Sequence, residues 1–133
     1  MNRPISNALM ETNRAIFGEK ANHIFDFDKS IRFVVLLTSD GKMMAEFARP
    51  GVASLEPRTE SETVYMKATI AISMTTPMDK YHGRIKTAIL VKEKVTVICF
   101  NLMARIMLVS ASPDFQLERL EELGRLIDQL NLG

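Results

Sequence analysis

The chain has 133 residues, 47% of them hydrophobic and 25% charged, with a formal net charge of +1. This composition excludes a disordered chain, and the near-zero charge excludes a global pull on nucleic acid or acidic membranes. The length suits a single domain over 1–133, burying about two thirds of its surface on folding.

The opening "MNRPISNALMETNRAIF" has no apolar core of a signal peptide, and no stretch offers about 18 uninterrupted apolar residues, so no membrane span is expected. Spacing predicts a helix from Pro4 to about Lys20, with Ile5, Ala8, Leu9, Thr12, Ile16 and Phe17 on one stripe. Gly18 weakens its end, and "HIFDFD" turns the chain. "IRFVVLLT" is a strand buried on both faces. Asp40-Gly41 in "SDGK" signals a tight hairpin, returning through "MMAEFA". "RPGVASLEPRTE" is a loop, after which Thr59 and Glu62 have the spacing of a capping box for a second helix ending near Pro77. "DKYHG" is a turn, with Gly83 free to take positive φ. Three strands follow, "RIKTAILV", "KVTVICF" and "ARIMLVSA", joined by "KEK" and "NLM" into an antiparallel meander. The last helix, "SPDFQLERLEELGRLIDQL", has Ser112 as N-cap, Pro113 and Asp114 in its first turn, and an apolar stripe of Leu117, Leu120, Leu123, Ile127 and Leu130. The order α-β-β-α-β-β-β-α gives an α+β sandwich: a five-stranded antiparallel sheet with helices packed on its faces.

Val64 to Met78 holds a single charge, Lys67. On a helical wheel Val64, Ala68, Ala71 and Ile72 form one arc, and Met66, Ile70, Met74 and Pro77 a second, nearly opposite. Thr69, Ser73 and Thr76 lie between them and allow close approach. One arc packs on the sheet; the other needs cover, since each large apolar side chain left wet forgoes about 1.5–3 kcal/mol. Either the first helix covers it or a second copy does, across a twofold axis. The second is the expectation, with Met66, Ile70, Ser73, Met74 and Pro77 in a homodimer interface.

Chemistry-bearing patterns are sparse. The six glycines form no Walker or dinucleotide loop, so the chain is not expected to be a GTPase itself. His23 and His82 are the only histidines and Cys99 the only cysteine, so neither a zinc site nor an intrachain disulfide is expected. Cys99 lies in an apolar strand and reads as a buried, inert thiol in a reducing, cytoplasmic setting. Asp26 and Asp28 have the spacing for a hard cation, but a solvated edge is the favoured reading. No catalytic residue and no cofactor are expected, and the protein is read as a non-enzyme. Lys80, Tyr81, His82, Arg84 and Lys86, with Lys92 and Lys94, outnumber Asp79 and Glu93 and read as an anion or partner surface, or as a solvated strand face guarding the sheet. Nucleic acid as a partner is not expected at this net charge. Among nine methionines, Met103 and Met107 are assigned to the core, Met66 and Met74 to the interface.

The order and segments resemble the roadblock (dynein light chain roadblock, longin-like) superfamily: "FVVLLTSDGKMMAEF" as first hairpin, "SETVYMKATIAISM" as central helix, "HGRIKTAILVKEKVTVICF" as third and fourth strands and "ARIMLVSAS" as fifth, over about residues 5 to 130. "MDKYHGRIKTAILVKEKVTVICFNL" is also similar to small uncharacterised proteins of ammonia-oxidising archaea. The roadblock resemblance implies a non-enzymatic homodimer, paired through central helices and third strands, that scaffolds complexes or regulates a small GTPase. Arg84 and Lys86 at the start of the third strand depart from it, placing like charges near the dimer axis. The alternative is a PAS- or profilin-like domain sensing a small anion in a pocket between sheet and helices.

Overall fold

A computed structural model describes residues 7–132 of the chain. The elements are α1 (Asn7–Phe27), β1 (Ile31–Thr38), β2 (Met43–Ala48), α2 (Ser61–Ser73), α3 (Asp79–His82), β3 (Thr87–Val91), β4 (Thr96–Asn101), β5 (Arg105–Ala111) and α4 (Leu120–Gln129). The strands form one antiparallel sheet in the order β2-β1-β5-β4-β3. The two outermost strands, β2 and β3, are consecutive in sequence. The connection between them carries α2 from one rim of the sheet to the other.

The period-2 alternation of the strands divides the core in two. Val34, Leu36, Ile98, Phe100, Met107 and Val109 pack against Phe17, Ala21 and Ile24 of α1 and Leu123 and Ile127 of α4. Val35, Leu37, Cys99, Ile106 and Leu108 face the other way, onto Tyr65, Ala68 and Ile72 of α2. The result is α1 and α4 on one face and α2 on the other, with β1 and β5 buried on both sides as their apolar runs predict. Gly41 takes φ +90 in the β1–β2 turn, as the Asp-Gly pair requires.

Several boundaries differ from the sequence reading. Helix α1 runs on through "HIFDFD" to Phe27, because Ile24 extends the stripe of Phe17 and Ala21 and is fully buried; Gly18 lies inside the helix. The expected start at Pro4, with Ile5, lies outside the described residues. The Thr59–Glu62 capping box is not formed: a 3-10 turn over Arg58–Glu60 leads into α2, and Glu60 is the cap without a side-chain bond. Helix α2 stops at Ser73, and Pro77 sits in a 3-10 turn, Thr76–Met78. "DKYH" is the short helix α3, closed by Gly83 at φ +79. Ser112 does not cap the last helix. Its carbonyl accepts the Phe115 N–H at 3.1 Å, turning Phe115 into the core, and α4 begins only at Leu120. Leu117 is therefore outside the helix stripe and exposed.

Candidate functional site

The sequence of α2 fixes which side meets the sheet. Tyr65, Ala68 and Ile72, at i, i+3 and i+7, are buried. Tyr65 is absent from the arc read from sequence. Val64 and Ala71 are half-buried. On the outer side Met66, Ile70 and Met74, at i, i+4 and i+8, are 61%, 55% and 71% exposed. Ser73 and Pro77 are exposed beside them. The first helix does not cover this row, because α1 packs with α4 on the opposite face of the sheet.

The polar residues among this row make no demand on a partner. Thr69 Oγ1 donates to the Tyr65 carbonyl at 3.0 Å, Ser73 Oγ to Ile70 at 3.2 Å and Thr76 Oγ1 to Ser73 at 2.7 Å. With these hydroxyls satisfied within the chain, the row of Met66, Ile70 and Met74 is apolar, and the exposed Lys67 is the one charge beside it within Val64–Met78.

The two rims of the sheet are unlike. On β2 the Asn13 side-chain amide donates to the Met44 carbonyl at 2.9 Å and Arg14 Nη2 to the Glu46 carbonyl at 3.1 Å, so α1 covers that rim. On β3, among the described residues, no side chain bonds to the backbone of Thr87–Val91, and Leu90 and Val91 are exposed. The strand begins at Thr87 rather than Arg84. Arg84 and Lys86 thus lie before it, and the like charges expected on a paired strand are displaced from the rim.

Lys80, Tyr81, His82, Arg84 and Lys86 are all exposed, brought together by α3 and the segment after it. Lys80 Nζ lies 5.0 Å from the Tyr81 ring centroid, and Arg84 Nη1 reaches Met103 Sδ at 2.8 Å. Met103 is not core: it holds φ 74 at the tip of the β4–β5 turn and is 70% exposed, whereas Met107 is buried as expected. A two-residue turn forces one residue into positive φ, and the "NLM" link offers no glycine to take it.

Asp28 is not a cation ligand here. Its Oδ1 accepts the Ser30 N–H at 2.9 Å and its Oδ2 accepts from Arg119 Nη1 at 2.8 Å. Among the described residues no cluster of three or more His, Cys, Asp or Glu has metal-site geometry. Cys99 is fully buried, and burial pushes its thiol up to about 11. No described helix is long and apolar enough to cross a membrane. A cleft of about 740 Å³ lies between the sheet and the N-terminal part of α2, where the alternative reading expects a pocket, but sequence reasoning assigned no residue to its lining. Its walls come from segments far apart in the chain, and no local signal marks it.

No protein-family model and no curated protein sequence matches the chain, so the similarity to archaeal proteins has no sequence relative behind it. Solved structures do match. MglB in a tetrameric arrangement is 14% identical, with a TM-score of 0.71 over 97% of this chain and 94% of that one. The gliding protein MglB from Thermus thermophilus is 12% identical, with a TM-score of 0.68 over 97% of each chain. A Roadblock/LC7 domain from Streptomyces avermitilis is 12% identical, with a TM-score of 0.61 over 82% and 86%. The likeness is one of fold: this chain carries the Roadblock/LC7 architecture, an antiparallel five-stranded sheet between the α1–α4 layer and α2.

Proposed function

We propose that the protein is a non-enzymatic homodimeric adaptor or regulatory module of the cytoplasm, with a small GTPase as its kind of partner. The observation that carries the dimer is the row of Met66, Ile70 and Met74, wet on the outside of a helix whose inner side is already buried. A twofold axis beside α2 covers this row with its own copy, Ser73 and Pro77 completing the contact. It also brings the open rim of β3 against its mate. The roadblock resemblance and the likeness of fold support the GTPase. Lys80, Tyr81, His82, Arg84 and Lys86 are the surface offered to an acidic segment of such a partner.

Absolute mass by light scattering at low micromolar concentration tests the reading. The wild type is expected at twice 15.0 kDa. Ile70→Asp is expected at the single mass with an unchanged circular dichroism spectrum, since it strands a charge in the interface at a cost on the order of 3–5 kcal/mol. A monomeric wild type, or a dimeric Ile70→Asp, rejects this interface. For the partner, a purified small GTPase that binds the wild type and not Ile70→Asp supports the adaptor.

A further inference from the structure

The cleft between α2 and the sheet is floored by Val35, Leu108 and Val97, from the adjacent strands β1, β5 and β4, and roofed by Val64 and Tyr65. At about 740 Å³ it falls within the size of small-molecule sites, which are apolar with a few placed polar groups. Those polar groups are not symmetric. Glu46 projects from β2 on the α2 face, opposite Val35, and Glu56 comes from the loop before α2; both are half-buried beside Tyr65. Burial, followed by the charge of the nearby Glu46 carboxylate and then of Glu56, holds the Tyr65 phenol well above the ordinary phenol range. The cations on the cleft are differently placed. Arg32 Nη2 is engaged by the Ala53 carbonyl at 2.6 Å, while Lys92 and Lys94 stand exposed on either side of Glu93. Solvent and salt screen the exposed lysines most; Arg32 is half-buried like the two glutamates and offsets one of them, so the half-buried groups of the cleft leave one net negative charge, carried by Glu46 and Glu56.

We infer that this cleft binds an apolar organic amine, its hydrocarbon body on Val35, Val97 and Leu108 and its ammonium at Glu46 and Glu56. The ammonium brings donors to an end of the cleft where carboxylates gather, and the body takes the dry floor. The site uses the inner side of α2 and is separate from the outer row of Met66, Ile70 and Met74.

Three probes sharing one ring system separate charge from shape: 1-naphthylmethylamine, 1-naphthylmethanol and 1-naphthoic acid, cationic, neutral and anionic at pH 7. Binding to the full chain is followed by calorimetry. The amine is expected to bind about 10-fold or more tighter than the alcohol, the scale of one hydrogen bond to a charged group. Glu46→Gln and Glu56→Gln, both near-isosteric, are each expected to remove most of that advantage while leaving the alcohol unchanged. Equal or tighter binding of the alcohol or acid, no binding of any probe, or an amine preference surviving both substitutions overturns the proposal. So does amine binding seen only in the Ile70→Asp chain, which assigns the cleft to the second copy instead.

Discussion

The Asn13 amide donates to the Met44 carbonyl at 2.9 Å, tying the middle of α1 to the rim strand β2. Asn13 is itself buried, so the bond is made out of water. With Arg14 on the Glu46 carbonyl, it makes one rim of the sheet the chain's own business and leaves β3 as the rim open to others.

Asn13→Leu removes the donor and leaves a sheet carbonyl without it. The expected loss is about 1–3 kcal/mol in urea unfolding. A loss below 0.5 kcal/mol, roughly the scale of an ordinary surface change, means water replaces the amide and the rim is not sealed by α1.

Gly41 makes the β1–β2 turn at φ +90, and a Cβ built there would meet Thr69 Oγ1 of α2 at 2.6 Å. Gly41→Ala is therefore expected to lose about 1–2 kcal/mol for the left-handed backbone alone, plus the cost of the collision. Thr69→Ala in the same chain recovers the second part and not the first. Strict additivity of the two substitutions in a double-mutant cycle argues that turn and helix do not touch.

Asp28 titrates below the ordinary value of 3.8: burial pushes it up, but the Ser30 N–H and the Arg119 guanidinium together outweigh that. A carboxyl depressed in the folded state gives stability that is present above 3.8 and lost as pH falls through the lower folded value. The stability difference between wild type and Asp28→Asn, from urea melts, should be flat from pH 5 to 8 and shrink below that ordinary value. A difference independent of pH down to about 2.5 removes the ion pair with Arg119 as its source.

Cys99 has no exposed surface, and its burial-raised thiol at about 11 leaves almost no thiolate at neutral pH. Labelling of the native chain with a disulfide reagent should proceed at the rate of global unfolding, and within seconds once denatured. Fast native labelling contradicts the placement of β4 against α2.

The strands were legible because "IRFVVLLT", "VTVICF" and "ARIMLVSA" are β-branched runs with turn residues at their ends, and each lands within one or two residues of its observed bounds. The outer row of α2 was legible for the same kind of reason: its spacing is periodic and local. What the sequence hid is what depends on other segments. Ile24 and Phe27 sat in a segment that read as a turn, and only the sheet beneath them makes them helical. Nothing in the order of elements says that α1 joins α4 rather than α2. Phe115 pulls out of the expected last helix because a hole in the core receives it.

The hydroxyls of Thr69, Ser73 and Thr76 are spent on their own helix, and the side chains that protrude past them are mostly unbranched methionines. A surface of this kind recognises by fit and not by a hydrogen-bond code, and methionine re-fits at little cost. In the dimer proposed above, two copies diverging after gene duplication would lose little by pairing with each other through it. In that dimer, discrimination between paralogues falls to like-charge repulsion among charged residues around the row rather than to the row itself.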